Sequence, residues 1–235
     1  MILANVRSRL AAADFRLVVL ALGRNDPRRG ARYERLLAEA GPDRLLDEPR
    51  LWPALRAVRS LEAPSLPLFA YVAVRHALLA VRVDNRELAD YLAALLLEFG
   101  EQGRATRVRR TDNRSYEYLV DIVADLAEQG GAGERGFLLQ MHLGNYSLWL
   151  AGLFPDYVAA WRSRAGGPDL PYYDELGRHG YALASRHGLA KRVGLAPVLE
   201  AAADRFPALR TAFNRLSDRV FFPAITTPDK LLRNL

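Results

Sequence analysis

Residues 137–154 form a stretch of eighteen residues that contains no Asp, Glu, Lys or Arg. Charged residues make up 26% of the whole chain, so this gap marks the segment that is most completely removed from water. Five polar side chains in it need hydrogen-bond partners if they are buried. They are Gln140, His142, Asn145, Tyr146 and Ser147. We therefore predict that residues 137–154 are the central buried element of the fold.

A membrane-spanning helix is the alternative interpretation, because eighteen residues reach the lower limit of about 17–25 for a span. The five polar side chains, together with Gly144 and Gly152, make this segment a poor lipid-facing helix. The next long apolar stretch, residues 66–83, carries Arg75 and Arg82. Near the N-terminus the uncharged run 17–22 is too short for a signal sequence. We expect no membrane span, and we interpret the N-terminal segment as an amphipathic helix.

Helical periodicity dominates the rest of the chain. Between residues 88 and 99, for example, apolar side chains recur three and four residues apart until Gly100 ends the pattern. Strand-like apolar runs are limited to residues 137–143, which could be helix or strand, and 219–224. The sequence predicts an all-α fold, a single globular bundle of roughly eight to eleven helices with at most minor short strands. We expect one domain over residues 1–235, with a subdomain break possible within 101–113.

Several helix starts are indicated by capping residues. Asp84 and Glu87 form an acidic variant of the capping box, and Asp112 or Asn113 is expected to begin the helix that contains Leu119. Asp169 is the predicted N-cap of a later helix. Thr227, followed by Pro228, predicts a last short turn.

The clearest basic cluster lies in the loop of residues 101–113 and just after it. Its members are Arg104, Arg107, Arg109, Arg110 and Arg114. Arginine suits phosphate contacts, because its planar guanidinium donates two parallel hydrogen bonds. The first four therefore form a candidate anion or nucleic-acid site. The alternative, which we favour, is a solvated loop whose arginines pair with acidic residues of neighbouring helices.

A second candidate is the polar set inside the uncharged run. His142 and Asn145 are three residues apart, so on a helix they share a face with Tyr146. A histidine beside an amide and a phenol could line a ligand pocket or act as a base. A structural hydrogen-bond network that fixes the packing of the helix is the alternative, and we favour it.

Glu175 and His179 are four residues apart and could share a metal ion, whereas His187 lies two further turns along. The motifs Glu-x-x-His and His-Glu-x-x-His are missing, as are Gly-x-Ser-x-Gly and a phosphate-binding glycine loop. The chain has no cysteine, which excludes disulfides and thiolate metal sites. We predict no metal site, no cofactor and no catalytic residue.

The leading functional hypothesis is a non-enzymatic, cytoplasmic helical protein that acts through a protein partner or through homo-oligomerisation. It is supported by many amphipathic helices and by Arg and Tyr side chains such as Tyr172 and Tyr173, types favoured at interface centres. The net charge of +6 also permits nucleic-acid binding through the arginine cluster. A small-ligand site or enzyme around His142 and Asn145 is the third possibility.

Overall fold

A computed structural model describes residues 1–24, 26–57, 64–224, 227 and 230. Within these ranges the chain forms thirteen α-helices and no strand, which confirms the all-α fold. Their number exceeds eight to eleven because three of them have only five to seven residues, too few to show a helical repeat. The helices are α1 (Ala12–Gly23), α2 (Pro27–Ala40), α3 (Pro42–Leu46), α4 (Leu51–Ala57), α5 (Leu66–Ala80), α6 (Arg86–Phe99), α7 (Leu119–Gln129), α8 (Gly133–Leu153), α9 (Pro155–Ala165), α10 (Leu170–Arg186), α11 (Gly188–Arg192), α12 (Ala196–Asp204) and α13 (Phe206–Leu216).

Helix α8 is the centre of the molecule. Sixteen of its 21 residues are buried, and residues 137–143 belong to it as helix. Helix α10 packs along α8, and α7, α9 and α13 surround the rest of it. Leu148 points into the core, whereas Trp149 and Leu150 are partly exposed. The other side of the core is an α5–α6 pair, which α13 and α12 join to the central helices.

Glycines allow α8 and α10 to approach almost to backbone contact. A Cβ atom on Gly180 would lie 2.7 Å from the backbone N of Gly144 and 2.8 Å from the carbonyl O of Gln140. At Gly144 itself, the ring of Tyr181 occupies the space that a side chain would fill, at 2.6 Å. The sequence of these two helices therefore sets the distance between them.

The C-terminal end of α8 is capped by side chains from a distant part of the chain. The Asn214 amide donates to the carbonyl oxygens of Ala151 and Gly152, at 2.9 and 2.8 Å. The Ser217 hydroxyl donates to the carbonyl of Leu153 at 2.7 Å. These bonds satisfy carbonyl groups that the end of a helix leaves without intrahelical partners. Ser217 also begins a wide helical turn, Ser217–Phe221. The first three residues of the strand-like run 219–224 belong to this turn and are therefore not extended.

Helix starts follow the expected chemistry, with two corrections. Asp169 caps α10 as predicted, accepting from the amide of Tyr172 at 3.2 Å. The predicted capping box of Asp84 and Glu87 is wrong, because Asn85 is the N-cap of α6. Asp84 instead pairs with the buried Arg75 at 2.5 Å.

The second correction concerns α7, which begins at Leu119 with no side-chain cap, so neither Asp112 nor Asn113 starts it. Asp112 accepts instead from Arg135 at 2.5 Å. At the end of the chain, the Thr227 hydroxyl accepts from the amide of Lys230 at 3.1 Å, as an N-cap would, while Pro228 lies outside the described residues. Among the helices of the described ranges, none has the length and apolar character needed to cross a bilayer.

Candidate binding cleft

His142 lies in a box of aromatic rings inside the core. Its imidazole stacks on Tyr146, with ring centroids 5.7 Å apart and planes 6° from parallel. Phe99 and Tyr116 close two further sides, at centroid distances of 5.8 and 6.1 Å. Only 3% of the residue is exposed, and Nε2 has no hydrogen-bond partner among the described residues.

This environment keeps the imidazole neutral. Burial, together with the positive charges of Arg104 and Arg135, lowers the pKa of His142 to about 3. The cavity that borders His142 and Asn145 measures about 10 Å³, which is room for about one water molecule. The surroundings of His142 therefore favour a structural role in core packing over a role as a catalytic acid or base.

Asn145 connects three helices through one oxygen atom. Its Oδ1 accepts hydrogen bonds from the hydroxyls of Tyr91 on α6 and Tyr181 on α10, each at 2.8 Å. Burial raises the pKa of both tyrosines, so both hydroxyls keep their protons. This arrangement is the kind of buried polar network that orients neighbouring helices.

Tyr146 lies in a different environment from His142 and Asn145, the two residues predicted to share a site with it. Its hydroxyl donates to the carbonyl oxygen of Glu117 at 3.2 Å, and its ring forms part of the floor of an open cleft of about 520 Å³. We call this the aromatic cleft, because seven of its thirteen lining residues are Phe, Tyr or Trp. The lining residues are Thr106, Glu117, Tyr118, Leu119, Val120, Tyr146, Leu150, Phe154, Tyr157, Trp161, Pro168, Tyr172 and Tyr173.

Four chain segments build the aromatic cleft: the loop before α7 with the first residues of α7, the C-terminal half of α8 with Phe154, helix α9, and Pro168 with the start of α10. Pro155 begins α9 directly after α8 ends, and Gly166, in the left-handed conformation, ends α9. The chain then turns back through Gly167, where a Cβ atom would lie 2.8 Å from the Trp161 ring. The glycine therefore lets the indole approach the backbone closely.

The cleft is apolar, partly exposed and nearly free of charge. Tyr118, Tyr157 and Tyr172 belong to the large hydrophobic residues that stay exposed, with Tyr157 at 60%. Burial raises the pKa of Tyr146 and Tyr173 to about 12, so these hydroxyls are neutral hydrogen-bonding groups at physiological pH. Glu117 is the one acidic residue among the described lining residues, which include no Lys, Arg or His.

The sequence pointed to only part of this cleft. Tyr146 is a predicted ligand residue, and Tyr172 and Tyr173 are candidate partner contacts. Of these two tyrosines, Tyr172 is exposed and Tyr173 is buried. Tyr157 and Trp161 were missed, although their four-residue spacing places them on one face of α9. This four-residue spacing is the one feature of the sequence that indicates that the two rings lie together.

The arginine cluster is largely engaged by acidic side chains of the same chain. Arg104 is only 6% exposed and contacts Glu98 at 3.0 Å. Arg110 pairs with Glu98 at 3.1 Å and also with Glu101. The three remaining arginines differ from one another. Arg109 contacts Glu134 and Arg114 contacts Asp125, each at 2.6 Å, while Arg107 has no acidic partner in the described part of the chain.

Glu175 and His179 line a separate surface depression of about 540 Å³. His187 is elsewhere: its Nδ1 accepts from the amide of Leu189, and its ring stacks on Phe137 at 5.2 Å. Across the described ranges, no three acidic or histidine side chains converge closely enough to hold a metal ion.

The chain matches no protein-family model, no curated protein and no solved structure.

Proposed function

We propose that the protein is a binding protein that takes a small organic ligand in the aromatic cleft. The observation that carries this proposal is the concentration of exposed aromatic side chains in one concave site. A volume of about 520 Å³ lies within the usual range of about 300–1,000 Å³ for small-molecule sites. Such sites are mostly apolar with a few polar groups, and the tyrosine hydroxyls and Glu117 supply these.

The composition of the cleft supports recognition rather than catalysis. Among its lining residues, no serine, lysine or histidine stands beside Glu117 to form a nucleophile and base pair. Tyr146 and Tyr173 are poor bases and poor acids near neutral pH, because their pKa values are about 12. His142 touches the back of Tyr146 and lies behind the cleft wall.

A fragment screen by saturation-transfer NMR tests this proposal. We expect several small aromatic or aliphatic fragments to bind the wild-type protein and to bind Tyr157→Ala about 5- to 10-fold more weakly, since a ring of the cleft is lost. Leu20→Ala is the matched control, because Leu20 is equally exposed, at 59%, but lies outside the cleft. Either no fragment binding, or binding that Tyr157→Ala leaves unchanged, would refute the proposal.

A protein partner is the second candidate, favoured by one observation. Val120 at the cleft and Val123 one turn further along α7 are exposed apolar side chains, which extend the apolar surface beyond the cleft. A second copy of the chain is the simplest such partner. Light scattering of the wild type and of Val120→Ser/Val123→Ser tests it: a dimer that the substitutions dissociate supports it, and a wild-type monomer speaks against it.

A further inference from the structure

We propose that the aromatic cleft selects an organic cation, and that an alkylated ammonium group is the chemical class that it fits. This inference rests on the proposed ligand-binding function and names the ligand class for that same site. It depends on three observations: the charge of the lining, the arrangement of the rings, and the absence of an internal cation over them.

The charge of the cleft is opposite to that of the chain. The protein has a net charge of +6 and 33 Lys and Arg residues, yet none of those in the described part of the chain lines the cleft. Glu117, an exposed residue, is the one acidic residue among the described lining residues, so its carboxylate lies at or near the cleft. An anionic ligand would meet this carboxylate with no cation to balance it, whereas a cationic ligand would be attracted by it.

Four aromatic rings elsewhere in the molecule already have a cation over them. The guanidiniums of four arginines lie 5.1–5.8 Å from the ring centroids of Tyr71, Trp52, Phe99 and Tyr116. In the described residues, by contrast, no arginine guanidinium lies over a ring of the aromatic cleft. No arginine of the described chain therefore competes with an external cation for the exposed faces of these rings.

The rings also face in several directions, which a rounded cation requires. Tyr172 and Tyr173 stand at 88° to one another with centroids 5.8 Å apart. Tyr118 and Trp161 are 5.7 Å apart at 37°. Tryptophan is the strongest cation–π partner, and quaternary ammonium groups are recognised by several aromatic faces together.

The apolar lining distinguishes an alkylated ammonium from a primary one. A primary ammonium has three N–H donors that lose water on burial and need acceptors. The acceptors at the cleft are neutral tyrosine hydroxyls and Glu117, whose carbonyl oxygen is already engaged by Tyr146. An alkylated ammonium has few or no donors, so aromatic faces and one nearby negative charge suffice.

Three isosteric probes test the inference: choline, its neutral analogue 3,3-dimethylbutan-1-ol, and the anion 3,3-dimethylbutanoate. Their dissociation constants are measured by NMR titration against the full chain. We expect choline to bind about 5- to 30-fold more tightly than the neutral alcohol, the range that a cation–π gain of about 1–2 kcal/mol corresponds to. The carboxylate should bind most weakly.

Two variants test whether Glu117 and Trp161 produce the preference for choline over the neutral alcohol. Glu117→Gln should weaken choline binding about 3- to 5-fold and leave the alcohol unchanged, while Trp161→Leu should weaken choline more than the alcohol. Glu128→Gln is the matched control, because it removes an exposed carboxylate of α7 that does not line the cleft. Circular dichroism checks that each variant is folded. If Trp161→Leu does not fold, Glu117→Gln alone decides whether the cleft produces the cation preference.

Choline binding no tighter than that of the neutral alcohol, or tighter binding of the carboxylate, overturns the cation preference and leaves the ligand-binding proposal standing. Failure of all three probes also overturns the cation preference, and the fragment screen with Tyr157→Ala then decides the ligand-binding proposal separately. Choline selectivity that Glu128→Gln reduces as much as Glu117→Gln would contradict the assigned site.

Discussion

The side-chain oxygen of Asn145 holds two buried tyrosine hydroxyls at once, those of Tyr91 and Tyr181. Replacing Asn145 with Ala leaves both hydroxyls without their acceptor, so we expect the free energy of unfolding to fall by about 2–5 kcal/mol. Tyr91→Phe removes one donor and leaves the Asn145–Tyr181 bond, and should cost only about 1 kcal/mol. Urea denaturation at pH 7 measures both. Equal losses in the two variants would contradict the shared-acceptor role.

His142 makes the stability of the protein depend on pH. Its pKa is about 3 in the folded state and about 6.5 in an unfolded chain, so the unfolded state binds the proton first as the pH falls. The stabilisation is complete above pH 6.5 and is lost progressively toward pH 3.

Between pH 6.5 and 5 the His142 contribution should fall by about 2 kcal/mol, at about 1.4 kcal/mol per pH unit. His142→Phe should remove this part of the fall in urea denaturation series. A smaller loss should remain, because burial also lowers the pKa of His76. A pH dependence that His142→Phe does not alter would show that the imidazole is protonated in the folded state.

Single residues were predictable where local spacing determines their neighbours. His142, Asn145 and Tyr146 do lie on α8, and a hydrogen-bond network does surround Asn145. The sequence alone could not show that Tyr146 opens to a cleft while His142 does not. That difference depends on Glu117 and on the α9 and α10 rings, which only the tertiary fold brings together.

At the scale of whole helices, the close packing of α8 against α10 depends on Gly180. A methyl group there would meet backbone atoms of α8 at 2.7–2.8 Å, and a backbone cannot rotate away as a side chain can. We expect Gly180→Ala to lower the free energy of unfolding by more than about 2 kcal/mol, despite the better helix propensity of alanine.

Gly30 is the matched control, since it lies in helix α2 and a Cβ atom there meets nothing within 4 Å. Gly30→Ala should stabilise the protein by about 0.5–1 kcal/mol. Thermal or urea denaturation of both variants provides the comparison. If Gly180→Ala were as stable as the wild type, the two helices would have to lie further apart than described.

Helices and their ends were predictable to different degrees. The long amphipathic helices follow from their apolar repeat, and the cap at Asp169 follows from an acid directly before Leu170-Pro171. At the start of α6 the sequence offers two adjacent capping residues, Asp84 and Asn85. The choice between them depends on Arg75, a buried cation from α5 that contacts Asp84. Such a tertiary contact leaves no mark on the local pattern.

The excess positive charge of the whole molecule is less available than the net charge suggests. Four free arginines contacting duplex phosphates would give log affinity a slope near −3.6 against log salt, at about 0.9 per contact. Of the four candidates, Arg107 alone lacks an acidic partner within the described ranges. The other three are Arg104, Arg109 and Arg110.

We therefore expect a slope no steeper than about −1 for a labelled duplex, measured by fluorescence anisotropy between about 50 and 200 mM salt. Glu98→Gln/Glu101→Gln releases Arg104 and Arg110 from their carboxylates and should steepen the slope by up to about 2. A wild-type slope near −3.6 would show that the ion pairs open on binding and would favour the nucleic-acid hypothesis.

The capping of α8 by Asn214 and Ser217 has a consequence for how the chain is made. A ribosome completes α8 about sixty residues before it adds Asn214, so the nascent helix leaves the exit tunnel with its last carbonyl groups bound only to water. The native cap of α8 therefore forms only after the segment that contains Asn214 and Ser217 has been synthesised. A ribosome stalled between α10 and α13 should hold a chain whose α8 terminus exchanges its amide hydrogens rapidly.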